Sequence, residues 1–211
     1  MASREIVFWD VDTQRDFMLP DGKLYVPGAE KRIPRLERLV NLARQGRVLL
    51  ISSVDAHTPD DPEFLYWPPH CVQGTPGQRK ISETLTDDLL LVPNDSEFHL
   101  PRNLRVYKQV ILEKQTLDVF DNPNTEKVLK QLGPDAEYCV FGMVTELCVR
   151  LAVLGMLKRG CHVAVITDAI EALQEEEGRR SVAEFVAAGA QLLQAEEAVA
   201  LVDALDRDSA N

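Results

Sequence analysis

Short, nearly unbroken apolar runs recur along this chain, and stretches with helical spacing separate them. The runs Ile6 to Trp9, Val48 to Ile51, Val106 to Leu112, Tyr138 to Phe141 and Val163 to Ile166 have strand length and end in charged or turn residues. Continuous apolarity, rather than alternation, marks strands covered on both faces, as in a parallel sheet. A shorter strand is expected at Gln191 to Leu193. Helical patterns fill the gaps at about Ala29 to Arg44, Thr145 to Lys158 and Glu175 to Ala188. Pro34 falls in the first turn of one, where a missing N–H costs little, and Gly160 and Gly189 follow the ends of the other two. Strand and helix in alternation predict the α/β class: a three-layer α/β/α sandwich around a mostly parallel, doubly wound sheet of about six strands. The 211 residues suit one domain over 1–211. The stretch from about Thr58 to Asn103 is rich in Pro, Asp and Gly, lacks periodicity, and reads as a long functional loop.

Composition narrows the partners. A net charge of -11 and a pI of about 4.8 repel nucleic acid and anionic membranes. The opening MASREIVFWDVDTQRDF holds no apolar core of signal-peptide length, and no apolar run reaches bilayer-spanning length. A cytoplasmic protein is therefore expected, with Cys71, Cys139, Cys148 and Cys161 as free thiols. Apolar residues on several helices point to a homo-oligomer.

In an open α/β sheet, ligands bind beyond the carboxyl ends of the strands. Asp10, Asp12 and Asp16 follow the first predicted strand, Asp55 and His57 the second, Glu113 and Lys114 the third, Cys148 the fourth and Asp168 the fifth. Cys148 falls in a turn that opens a helix, with Thr145 placed to cap it. Unpaired N–H groups and the positive dipole end there favour a thiolate. The competing reading is a small core residue, which is assigned to Cys139 and Cys161. A Lys114 ammonium would depress a nearby thiol pKa, and an Asp12 carboxylate could take the thiol proton; the plainer readings are a solvated strand end and a turn former. Asp55 and His57 lie two apart, so both point the same way on an extended segment, and His70 follows in WPPHC. These three suit a zinc, iron or manganese ion, with Glu63 as a fourth ligand and Cys71 as a rival; ordinary loop polarity is the alternative. No Gly-x-Gly-x-x-Gly follows the first strand, which disfavours a dinucleotide binder.

Five segments taken together resemble the isochorismatase-like cysteine hydrolases, and among them the nicotinamidase/pyrazinamidase branch. They are DVDTQRDF, SVDAH, WPPHCVQGTPG, EKQTLDVF and GMVTELCVRLAV, in order over roughly residues 5 to 200. The resemblance implies an Asp12, Lys114 and Cys148 triad, a cis peptide at Met143–Val144, and an oxyanion hole made by the amides of Val144 and Cys148. It implies one divalent metal ion, zinc foremost, on Asp55, His57, His70 and Glu63, and a substrate ring held by Phe17 and Trp67. The implied reaction is hydrolysis of nicotinamide to nicotinate and ammonia, a step of NAD salvage. Two features depart from the pattern. Gln115 to Phe120 looks more like the isochorismatase-hydrolase branch, and Glu63 stands where some relatives have a histidine. The alternatives are therefore a hydrolase of another small amide or related substrate, and a non-catalytic metal- or ligand-binding relative.

Overall fold

The computed structural model describes residues 4–209. Seven strands form one parallel sheet: β1 (Ile6–Val11), β2 (Leu49–Asp55), β3 (Leu89–Val92), β4 (Gln109–Lys114), β5 (Glu137–Met143), β6 (His162–Glu171) and β7 (Gln191–Leu193). Their order is β3-β4-β2-β1-β5-β6-β7: beyond β1 the chain winds outward through β5, β6 and β7 on one side, and on the other β4 inserts between β2 and the edge strand β3. The helices are α1 (Arg15–Met18), α2 (Ile33–Arg44), α3 (Thr125–Leu132), α4 (Arg150–Lys158), α5 (Glu175–Ala187) and α6 (Ala195–Ser209). None is long and apolar enough to cross a membrane among the described residues.

Strand alternation sorts the core into two layers. Val7, Trp9 and Val11 of β1 join the layer that includes Ala152, Val153 and Met156 of α4 and Phe185 of α5. Ile6 and Phe8 join the layer formed with Leu36, Leu39 and Val40 of α2 and Val202 of α6. β1 and β5 are buried on both faces, as their unbroken apolarity requires.

The sheet has seven strands rather than about six. The additional one, β3, lies inside the stretch read as a loop, at the sheet edge, where Leu89 and Leu91 stay exposed. Its four apolar residues stand between Asp88 and Pro93, in surroundings whose composition reads as loop. Val106 ends a 3-10 turn (Leu104–Val106), so β4 starts later than expected and runs on to Lys114. The expected helix from Ala29 is a 3-10 turn (Ala29–Arg32) leading into α2, with Pro34 in its first turn. The expected helix from Thr145 begins with a π-helical turn (Thr145–Val149) before α4. Thr145 is not its cap: Val144 holds the N-cap position and makes no side-chain cap bond.

Candidate active site

Three central strands deliver the candidate triad to one edge. Asp12 immediately follows β1, Lys114 is the last residue of β4, and Cys148 sits in the π-helical turn after β5. Val11 pairs with Ser53 on one side and with Gly142 on the other, and Lys114 pairs with Asp55. The peptide Met143–Val144 is cis, as the sequence resemblance implies. Lys114 Nζ lies 2.9 Å from Asp12 Oδ2 and 3.6 Å from Cys148 Sγ, and it also donates to Asp55 Oδ1. The Ser53 hydroxyl donates to Asp12 Oδ1 at 2.6 Å. Asp12 Oδ2 is thus left to the Lys114 ammonium and the Cys148 thiol.

Burial dominates the electrostatics here. It pushes the Cys148 thiol well above its ordinary value; Lys114 opposes the rise, while the Asp12 and Asp55 carboxylates add to it. Water exclusion thus outweighs one ammonium shared with two carboxylates, so the thiol proton needs an acceptor, the part the sequence reading gives to Asp12. Asp12 is also raised by burial, against the pull of Lys114. Burial acts upward on Asp55 too, but Lys114 and His57 outweigh it and leave that carboxyl below its usual range. Lys114 loses from burial and gains more from Asp12 and Asp55, so it remains a cation.

Beside the triad, Asp55, His57 and His70 bring one ligand atom each within 4.8 Å of one another. Asp55 Oδ2 is 3.8 Å from Nε2 of each histidine. A tetrahedral zinc site with bonds of about 2.1 Å has ligand atoms about 3.4 Å apart, so the Asp55–histidine pairs need to close by only a few tenths of an ångström. His57 Nδ1 donates to Asp61 Oδ2 at 3.0 Å and His70 Nδ1 to the Pro68 carbonyl at 2.8 Å. In the neutral ring each Nε2 then carries the lone pair, and His57 Nε2 is buried with no hydrogen-bond partner nearer than Asp55 Oδ2 at 3.8 Å. Committed Nδ1 atoms and an orphaned inward nitrogen are what a metal-binding pair requires. Glu63 Oε1 stands 3.9 Å from His70 Nε2, within reach as a further ligand. Cys71 is set apart: its thiol is directed at the Gly77 carbonyl, 4.0 Å away, and burial holds it protonated.

Phe17 is buried, with its ring 5.4 Å from the His70 ring. Trp67 is only half-buried; Phe64 is the ring that packs on both histidines, at 5.3 and 5.8 Å. Phe64, Asp61, Ser53 and Gln14 are contributors that the motifs did not single out. Gln14 brackets the Asp55 peptide, accepting from its N–H at 2.7 Å and donating to its carbonyl at 2.8 Å. Asp168 lies away from the chemistry, held by Arg35 and the Ala195 N–H. Asp16 accepts from the Cys71 and Lys23 amides and shapes the loops. Glu113 is half-buried and has no place in the triad, and Cys139 and Cys161 are core residues.

A cysteine, a lysine and an aspartate at the carboxyl edge of a doubly wound sheet, next to a metal-type Asp-His-His cluster, define a hydrolase class. The family model for the isochorismatase domain matches residues 7–197, and the chain belongs to that family. The chain is 27% identical over 208 residues to the nicotinamidase of Escherichia coli (strain K12), covering 86% of this chain and 91% of that protein. The pyrazinamidase of Pyrococcus horikoshii, solved in complex with zinc, superposes with a TM-score of 0.73 at 28% identity, covering 90% of this chain and 99% of that one. The nicotinamidase of Bacillus subtilis shares the fold, with a TM-score of 0.74 at 18% identity and coverage of 90% and 99%.

Proposed function

We propose that this isochorismatase-family hydrolase cleaves a small amide through a Cys148 thioester, and that nicotinamide is its substrate. The observation that carries the reading is the buried contact of Lys114 Nζ with both Asp12 Oδ2 and Cys148 Sγ, at 2.9 and 3.6 Å. A thiol held neutral needs a base within reach. Asp12, whose carboxylate the Cys148 thiol has as a hydrogen-bond partner, is that base.

The thiol proton passes to the Asp12 carboxylate as sulfur bonds to the amide carbon. The carbonyl oxygen takes the negative charge and is held by the amides of Val144 and Cys148. The C–N bond then breaks, and Asp12 returns the proton to the departing ammonia. In the second half, Asp12 takes a proton from water, the water oxygen bonds to the acyl carbon, and the C–S bond breaks. The sulfur recovers its proton and the carboxylic acid leaves. Lys114 stays charged throughout and offsets the thiolate as it forms. Asp55, His57 and His70, with Glu63, would hold a divalent ion, zinc foremost; such an ion supplies a Lewis acid for an aromatic nitrogen or a water of lowered pKa. Phe17, Phe64 and Trp67 would then bound a flat ring.

Ammonia release from nicotinamide, pyrazinamide and an aliphatic amide tests the proposal. Nicotinamide is expected to turn over fastest. Faster release from the aliphatic amide would move the substrate to another small amide. No release from any amide, with Cys148 still open to alkylation, would overturn the amidase reading.

A further inference from the structure

On the α2 side of β1 lies a second buried polar cluster that the chemistry above does not use. Asp10, fully buried in the strand, accepts from Lys80 Nζ at 2.7 Å and from the Thr13 hydroxyl at 3.0 Å. With its proton so used, the Thr13 oxygen accepts from Lys80 Nζ at 2.7 Å and from Thr84 Oγ1 at 2.7 Å. All four side chains are at least nine-tenths buried. A buried ion pair is seldom worth its desolvation for stability alone, since apolar residues of similar volume often serve as well. Its location suggests what else it does. Thr13 follows Asp12 directly, and Asp12 is a non-glycine residue with φ of 49°, a left-handed conformation that persists only where the surroundings impose it. The backbone after it is fastened to the same segment as Lys80. The Thr13 carbonyl accepts from the Ile81 N–H at 3.0 Å, Gln14 bridges Lys80, and the Arg15 N–H donates to the Arg79 carbonyl at 2.9 Å.

We propose that Asp10, Lys80 and Thr13 act as a positioning clamp that fixes the left-handed turn at Asp12 and so aims its carboxylate at Lys114 and Cys148. The inference rests on the acid–base role proposed for Asp12. None of the three touches the reacting atoms; they act through the backbone of Asp12.

The test compares Thr13→Val, Thr13→Ser and the double variant Asp10→Leu/Lys80→Met, with Asp12→Asn as reference. The double variant removes both charges together, so neither is left buried alone. Three quantities are read: melting temperature, kcat against KM for the amide hydrolysed best, and the rate of Cys148 alkylation by iodoacetamide. Thr13→Val and the double variant are expected to lose on the order of 10- to 100-fold in kcat, the cost of misplacing a reacting group by about 1 Å, with KM little changed. Alkylation slows alongside, and Thr13→Ser, which keeps the hydroxyl, restores both. Should the double variant fail to fold, the Thr13 pair decides alone. Wild-type kcat and alkylation in Thr13→Val, whatever the melting temperature, would overturn the clamp. If Asp12→Asn also keeps wild-type rates, the acid–base reading falls and takes the clamp with it; if only the clamp variants are normal, the clamp alone falls.

Discussion

Replacing Gly142 by alanine tests how tightly the two central strands must approach to assemble the site. Gly142 is the penultimate residue of β5, has φ of 119°, and pairs with Val11, the residue before Asp12. A Cβ placed on it would stand 2.1 Å from the Val11 carbonyl oxygen, 2.7 Å from its nitrogen and 2.8 Å from its carbonyl carbon. Those are backbone atoms of a strand paired on both sides, so they cannot swing away as a flexible side chain would. The left-handed backbone contributes about 1–3 kcal/mol of strain. Forcing the extra carbon into packed backbone contributes about 1–3 kcal/mol more. The expected total is about 2–6 kcal/mol, a large part of the roughly 5–15 kcal/mol that holds a typical domain. Gly133→Ala is the control, since Gly133 has φ of 89° but nothing within 4 Å of an added Cβ. It carries the strain without the clash. Urea unfolding should show a lower midpoint for Gly142→Ala than for Gly133→Ala at similar slope. A folded Gly142→Ala protein should also alkylate slowly at Cys148, because parting β1 from β5 parts Asp12 from the nucleophile turn. A Gly142→Ala midpoint equal to or above that of the control would refute the close-approach argument.

Other substitutions probe the chemistry directly. Cys148→Ala should release no ammonia while its melting curve keeps a single sharp transition, and Asp12→Asn should lower kcat by roughly 10²- to 10⁴-fold in the same ammonia assay. Lys114→Met removes the group that opposes burial at Cys148, so alkylation followed against pH should shift to higher pH; an unmoved profile would separate the lysine from the thiol. His57→Ala and His70→Ala should each lower bound divalent metal measured by elemental analysis, and a chelator should suppress nicotinamide hydrolysis more than Cys148 alkylation; full metal content in both variants would remove the Asp-His-His site from the account.

Local chemistry made much of this legible in the sequence. β1 and β5 announce themselves because burial on both faces leaves no polar interruption. Asp55 and His57 are two residues apart on an extended segment, so their common direction could be read without a structure, and His70 was marked by its motif. What stayed hidden depends on long-range contact. β3 is an apolar run as long as several of those read as strands, but it stands between Asp88 and Pro93 in a stretch whose Pro, Asp and Gly read as loop. Ser53 looks like any strand serine until the fold sets it 2.6 Å from Asp12. Phe64, rather than Trp67, meets the histidine rings because the short 3-10 turn Pro62–Leu65 rotates it inward and leaves Leu65 and Tyr66 outside. The electrostatics around Cys148 stayed hidden for a related reason. A helix start and a lysine are visible in sequence, whereas the burial that raises the Cys148 thiol is not.

The same depth of burial explains how two aspartates a few ångströms from one ammonium can take different parts. Both contact Lys114, and both are shut off from solvent. One positive charge cannot fully offset two negative ones in a water-poor place, so the carboxyl with the weaker set of partners is the one that accepts a proton more readily. Asp55 has Lys114 and also His57, and it lies below the ordinary carboxylate range. Asp12 has Lys114 and the Ser53 hydroxyl, feels the Asp55 charge as repulsion, and lies above that range. Environments that push two neighbouring carboxyls in opposite directions divide the labour between them. Asp55, kept ionised, suits a cation ligand. Asp12, poised to gain and lose a proton beside a neutral thiol, suits the acid–base role. A cation on Asp55 would widen that division, because it would hold Asp55 ionised and leave more of the Lys114 charge to steady the thiolate.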